Sequence, residues 1–372
     1  MSAATSRVIS HQDHPTKNIR WGIIGLGDVT QIKSGPPFWK CQGSELVAVM
    51  RRTPGKAQEF AQRVPTTTTN GNRCCVGYDN VQEFLQHPGL EAVYICTRPG
   101  SHLAMAELVA AAGKACYIEK PVGRCSAETL QIMQLFQSKQ LPLYTAYISR
   151  AYPRTQALRE LRQNGAIGEK ISKISYRLVG TGGARNIETS GPSTIPWRLD
   201  PKQSGGGLIM DVGCHILDRI DYLCGPLIKV HGNVENRNSP NNIAVEDYVS
   251  LTAEIGLRLE KDNPYTVGAK VECTWDFASD DEPCDEFIFT GTHGSIQMAG
   301  MSPDGPIHVL DTTGNILHTI SFETPEHTAQ AMVQAVTDDL RGIRRSTKEY
   351  LSFGDNALRT PQVLDQGLES NY

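Results

Sequence analysis

The sequence predicts an α/β N-terminal half on a doubly wound parallel sheet, then an α+β half on a large, mainly antiparallel open sheet. Three observations carry this. From Arg20 onward short apolar runs alternate with helix-like stretches, the rhythm of strand–helix–strand units. After about Gly168 that rhythm gives way to strand-like runs with partial alternation. A chain of 372 residues also exceeds what one hydrophobic core usually serves, so two domains are expected.

In the first half WGIIG leads to a segment reaching about Lys40, LVAVM to PGKAQEFAQR, AVYICT to HLAMAELVAAAG, ACYIEKP to SAETLQIMQLFQSKQ, and LPLYTAY to a helical pattern reaching about Asn164. Val47 to Val49 and Ala92 to Ile95 are continuously apolar, as strands buried on both faces should be. In the second half KISKISYRLVG, IKVHGNVEN, DYVSLTAEI, TVGAKVECTWDF, DEFIFTGTHGSIQM and IHVLDTTGNILHTISF read as strands, with turn signals at Thr-Gly-Asn and His-Gly-Ser. One helix interrupts them, from about Leu208 to Leu223, and two more close the chain. The boundary falls near Leu141 to Pro153. It divides a flexible arm at 1–17 and a nucleotide-binding domain at 18–145 from a substrate and oligomerisation domain at 146–372.

Composition narrows the partners. Apolar residues make up 39% and charged residues 20%, with a formal net charge of −4, which leaves no basic face for nucleic acid and no polybasic membrane anchor. A small-molecule substrate is expected. The ten cysteines are scattered without a Cys-x-x-Cys pair, so they read as free thiols in a reducing compartment with no metal site. The N-terminus lacks a signal-peptide core and no run reaches 18 apolar residues, so a cytoplasmic protein is expected.

The stretch NIRWGIIGLGDVT carries the first chemistry. Gly25 and Gly27 follow an apolar strand directly, open a helical stretch, and belong to a unit whose second strand ends about twenty residues later, the setting of a Rossmann dinucleotide loop. Gly25 permits the tight turn and Gly27 lets a pyrophosphate approach the backbone, with Asp28 and Val29 as further cofactor contacts. Thr30, where Gly or Ala is usual, predicts a helix set slightly farther from the strand. At the end of the second strand stand Arg51 and Arg52 rather than an acidic residue. Guanidinium groups grip a 2′-phosphate, so NADP(H) is expected over NAD(H), which remains possible.

Two further loops should face the same crevice. Cys96-Thr97-Arg98-Pro99 offers Thr97 and Arg98, with His102 close behind, and Glu119-Lys120-Pro121 offers Glu119 and Lys120. A lysine before proline is kept out of the helical region, so its amine projects from the strand end, where it can steady a developing alkoxide. Then comes WRLDPKQSGGGLIMDVGCHILD. On a helix, Asp211, His215, Asp218 and Tyr222 share one face, and three glycines ahead of them imply close approach of another group. His215, with the Asp211 carboxylate one turn away raising its basicity, is the candidate proton acceptor.

EKP after a strand and the GGG-x3-D-x-G-x-H-x2-D helix resemble the glucose-fructose oxidoreductase, inositol dehydrogenase and MocA family, over Asn18 to Tyr372. ALRELRQNGAIG, DEFIFTGTHGSIQM and the closing ALRTPQVLDQGLESNY are similar to it as well. The resemblance implies that Lys120, Asp211 and His215 surround the substrate, with Asp211 orienting the histidine, and that Trp197 and Arg198 stand near the cofactor. Where many members read Gly-Phe-Asn-x-Arg-Phe, this chain has Ala146-Tyr147-Ile148-Ser149-Arg150-Ala151, which puts Tyr147 and Arg150 among the substrate contacts. The usual Thr-Pro-Pro loop is Thr97-Arg98-Pro99.

The expected activity is hydride transfer between NADP and a secondary alcohol or ketone of a sugar, polyol, cyclitol or cyclic diol. An NAD-dependent glycoside hydrolase of the same fold and a non-catalytic NADP sensor stay open as alternatives. A homodimer or homotetramer is expected, packed through an open sheet whose outer face no remaining helix covers.

Overall fold

The computed structural model describes residues 17–65, 75–180, 196–237, 245–256, 267–343 and 349–369. The arm at 1–16 and the threonine run at 66–69 lie outside them.

The first sheet has six strands: β1 (Ile19–Ile24), β2 (Ser44–Met50), β3 (Val76–Tyr78), β4 (Ala92–Ile95), β5 (Ala115–Ile118) and β6 (Leu143–Thr145). Their order is β3-β2-β1-β4-β5-β6 and every pair is parallel, so the topology reverses between β1 and β4. Nucleotides bind outside the carboxyl ends of strands at such a reversal. Five helices of this half are α1 (Pro37–Lys40), α2 (Lys56–Ala61), α3 (Val81–Leu85), α4 (His102–Ala111) and α5 (Ser126–Ser138). Trp21, Phe38, Tyr94 and Tyr117 pack on one face of the sheet, and Val47, Val93, Ile118 and Phe136 on the other.

Two details of this half depart from the sequence reading. The edge strand β3 went unread because it is three residues long with Gly77 at its centre, where a Cβ would sit 2.4 Å from the Ala57 carbonyl carbon. The segment after β1 is not one helix. A wide helical turn spans Thr30–Ser34, closed by Gly35 N–H on Thr30 O at 2.9 Å, and Pro36 and Pro37 then force a break before α1.

The second half follows through α6 (Pro153–Gln163), α7 (Pro201–Ser204) and α8 (Leu208–Cys224), and the chain closes with α9 (Gln330–Leu340) and α10 (Asp355–Leu368). Its strands are β7 (Ile171–Val179), β8 (Leu227–Glu235), β9 (Tyr248–Ile255), β10 (Lys270–Asp276), β11 (Cys284–Gly291), β12 (Gly294–Met298), β13 (Ile307–Leu310) and β14 (Ile316–Ile320). They form one eight-stranded sheet, β14-β13-β12-β11-β7-β10-β9-β8, in which only β7 and β10 pair in parallel. The apolar side of α8, with Ile209, Ile216 and Ile220, packs on the inner face through Ile174, Val271, Trp275 and Phe287.

Each closing helix serves a different half. Met332, Val333 and Val336 of α9 enter the core of the first sheet, while Val363, Leu364 and Leu368 of α10 join the core under the second. The outer face of the second sheet shows Ser175, Arg177, Thr252, Glu254, Glu272 and Thr274, with a Lys173–Glu272 ion pair at 2.6 Å across β7 and β10. That face is polar, so the sheet does not require a cover to keep apolar side chains from water. Cys41, Cys96, Cys116, Cys125, Cys214, Cys273 and Cys284 are free thiols, and among the described residues no helix is long and apolar enough to cross a membrane.

Candidate active site

The dinucleotide loop is built as its glycines require. Gly25 adopts φ +101°, and a Cβ there would lie 2.3 Å from Cys96 O, so the turn after β1 seats directly against the turn after β4. At Gly27 a Cβ would meet nothing within 4 Å, which leaves the backbone open to a ligand. Gly27, Asp28 and Val29 are exposed at this rim. Thr30 does not hold a helix away from the strand. It is fully buried, and its hydroxyl donates to Gly25 O at 2.9 Å and lies 3.1 Å from Cys96 Sγ, bracing the loop from beneath.

At the end of β2, Arg51 Nη1 donates to Leu26 O at 2.7 Å, which anchors the guanidinium beside the glycine loop, while Arg52 is exposed. A pocket of about 480 Å³ opens there, lined by Leu26, Gln31, Arg51, Lys56, Phe60 and Arg63, with Glu59 paired to Lys56 at 2.9 Å. Sequence reasoning missed Lys56, Phe60 and Arg63. Their signal was the basic ends of KAQEFAQR directly after the second strand, and it becomes legible only once α2 is known to fold back over the strand end. From β2 to β5 there are three strand spacings, roughly 14 Å, so this pocket and Lys120 lie at well-separated strand ends of the same sheet.

The chemistry gathers at the other end. Lys120 leaves β5, and its Nζ, only 12% exposed on the side chain, donates to Asp211 Oδ1 at 2.6 Å and to Asp211 O at 2.8 Å. Asp211 stands in the first turn of α8, where the helix dipole favours a carboxylate. Its second oxygen accepts from Arg198 Nε at 2.7 Å, and the Arg198 guanidinium lies 4.4 Å above the Trp197 ring.

Two of the three glycines before α8 have a physical cause. A Cβ on Gly205 would lie 2.1 Å from Arg124 O, and one on Gly207 2.6 Å from Glu246 O, while Gly207 N–H donates to the Glu246 carboxylate at 2.7 Å. At Gly205 only a glycine lets the chain ahead of α8 come this close to the segment that carries Lys120.

Charge then divides the roles. Burial opposes the Lys120 ammonium, but Asp211 outweighs it and carries the group above the ordinary lysine value, so Lys120 stays protonated. Burial likewise opposes the Asp211 carboxylate, and Lys120 with Arg198 holds it well below the usual carboxylate range. His215, one turn on and half-buried, is pushed well below the histidine value by burial and by the Lys120 charge. Asp211 does raise its basicity, as expected, but burial and the Lys120 charge outweigh that contribution. Both carboxylate oxygens are taken by Lys120 and Arg198, and among the described residues no hydrogen bond joins Asp211 to His215. The two groups are thus pushed apart, His215 toward its neutral form and Lys120 toward its charged form.

Other candidates are placed differently. Tyr147, expected at the substrate, is fully buried in the core beneath α8. Arg150, expected there too, is 2% exposed and grips Asp218 with Nε at 2.8 Å and Nη2 at 2.5 Å, so the pair is an internal strut. Asp218 thus leaves the polar face on which the helical spacing put it. His102 is fully buried with both ring nitrogens against main-chain carbonyls, not free to touch a cofactor. Glu119 turns inward, accepting from Tyr94 Oη and from Lys120 N–H. Arg98 is exposed on the turn after β4, with Thr97 partly buried beside it.

An open glycine loop with a basic pocket beside it, a lysine at the end of β5 three strands away, and a histidine on α8 mark an NAD(P)-dependent oxidoreductase acting on hydroxyl or keto groups. Residues 19–147 match the oxidoreductase family with the NAD-binding Rossmann fold, and residues 155–297 match the GFO/IDH/MocA C-terminal domain. The chain belongs to that family. It is 31% identical to Oxidoreductase P35 of Formosa agariphila over 319 residues, 85% of this chain and 89% of that protein. Over 212 residues, 56% of each chain, it is 30% identical to the trans-1,2-dihydrobenzene-1,2-diol dehydrogenase of Mus musculus. In fold it resembles the aldose-aldose oxidoreductase of Caulobacter crescentus, with a TM-score of 0.73 at 21% identity, covering 95% of this chain and 98% of the other.

Proposed function

We propose that this chain transfers hydride between NADP and a secondary alcohol or ketone of a sugar, polyol, cyclitol or cyclic diol. The observation that carries the reading is the half-buried Lys120–Asp211 pair at the carboxyl end of β5, with His215 one helical turn from Asp211. When bound, the nicotinamide supplies or accepts the hydride. In the oxidative direction His215 takes the hydroxyl proton, the Lys120 ammonium donates to the same oxygen as negative charge develops, and Asp211 holds that ammonium in place. In reduction the imidazolium returns the proton. The substrate class draws on the relatives that act on dihydrodiols and aldoses. The test is reduced-nicotinamide absorbance across a panel of sugars, inositols and dihydrodiols; a panel without turnover, in a protein that binds NADPH, overturns it.

NADP over NAD rests on the pocket at Arg51. No carboxylate ends β2, and the one acidic group in the pocket, Glu59, is paired with Lys56. Replacing Arg51 with Asp and Arg52 with Ser is expected to weaken NADPH binding by about 1.5 to 3 kcal/mol per lost charge-assisted bond and to spare NADH. Fluorescence titration with both nucleotides checks it, and an unchanged preference would sink the assignment.

For assembly, we propose a dimer or tetramer packed through the second sheet, its polar outer face pairing by hydrogen bonds and ion pairs across the contact. Light scattering at micromolar concentration is expected to give a multiple of 40.8 kDa. A monomer mass rules the assembly out.

A further inference from the structure

The residues from Glu119 to Cys125 form neither strand nor helix, because the ladders of the first sheet stop at Ile95 and Ile118. Their carbonyls therefore need partners from elsewhere. Among the described residues no main-chain N–H reaches Thr97 O, Pro121 O or Val122 O. One side chain meets all three. His102 Nδ1 lies 3.1 Å from both Pro121 O and Val122 O, and its Nε2 lies 3.0 Å from Thr97 O.

We propose that His102 is a positioning residue: its imidazole locks the turn after β4 to the segment that carries Lys120, and so sets where the Lys120 ammonium stands against Asp211 and His215. This rests on the reading of Lys120 as the group that holds the reacting oxygen. An imidazole suits the task because its nitrogens lie at separate corners of a rigid ring wedged between the two loops: the neutral ring donates its one N–H to a carbonyl of one loop and packs against the other, and only the protonated ring donates to both. The far end of the same segment is pinned independently, with Arg124 O pressed against Gly205 ahead of α8 and Arg124 N–H on Glu128 at 2.8 Å. Lys120 is thus held between His102 on the nucleotide side and the α8 glycines on the other. Burial lowers the pKa of His102, against the three carbonyls and Glu128 on α5.

The test uses the full chain with labelled histidines and needs no substrate. The titration of the His215 imidazole is followed by NMR in the native protein, in Lys120→Met as reference, and in His102→Phe and His102→Gln. Lys120→Met removes the charge that depresses His215 and should raise its midpoint by on the order of one unit. His102→Phe keeps the ring volume and loses both polar contacts, so it should recover at least half of that shift; His102→Gln, which keeps one donor, should recover a smaller part. A His215 midpoint unmoved in both variants, whatever happens to the melting temperature, overturns the proposal and leaves His102 a stability residue. Should His102→Phe fail to fold, the midpoint in His102→Gln decides alone. If Lys120→Met itself leaves the midpoint in place, Lys120 does not act on His215, and the fault lies with the proposed catalytic reading.

Discussion

Lys120→Met is expected to lower turnover by roughly 10² to 10³-fold, the usual cost of removing one preorganised donor from a developing oxyanion. The loss should fall on turnover, not on nucleotide affinity, because Lys120 stands three strands from the basic pocket at Arg51. Asp211 keeps Arg198 as partner and stays partly solvated, with 27% of its side chain exposed, so the variant should fold. Turnover and NADPH affinity measured together separate the outcomes. A weakened affinity at native turnover would make Lys120 a cofactor ligand and nothing more.

His215→Asn is expected to cost on the order of 10²-fold in turnover and to remove the acid limb of the pH–rate profile. The position of that limb in the native enzyme is the sharper test. An unperturbed histidine titrates near 6.5, but here burial and the Lys120 charge lower the value well beneath that, with Asp211 opposing. A base must be neutral to accept a proton, so oxidation should gain rate as pH rises through this depressed value. It should be flat across neutrality. A limb centred near or above 6.5 that survives in His215→Asn would assign it to another group, and full turnover in that variant would make this helix face structural.

Much of the fold was legible because it rests on local pattern. The Rossmann half announced itself through continuous apolar runs such as AVYI, which only a strand covered on both faces can bury, and through Gly25, whose φ of +101° excludes a side chain. The hairpins at His293 to Ser295 and Thr313 to Asn315 were readable for the same reason, since turn chemistry acts over a few residues. β3 was lost because three residues around a glycine carry no period.

The site divides in the same way. Lys120, Asp211 and His215 were candidates from sequence, since a strand end before a proline and a one-turn spacing on one helix are local facts. Their partners could not. Helical spacing set Asp211 beside His215, yet the carboxylate went to Lys120, which is 91 residues away in the chain and 2.6 Å away in space. Spacing set Asp218 on the wet face, and Arg150 drew it into the interior.

What the sequence by itself determined, then, is the order of the elements, the dinucleotide turn and the residue types at the strand ends, all matters of backbone freedom and short-range periodicity. Tertiary structure alone decided which charge meets which: Lys120 with Asp211, Arg198 with the same carboxylate, and Arg150 with Asp218 in the interior. The reason is that a pKa and an ion pair depend on desolvation and on charges a few ångströms off, and folding, not sequence proximity, sets those distances.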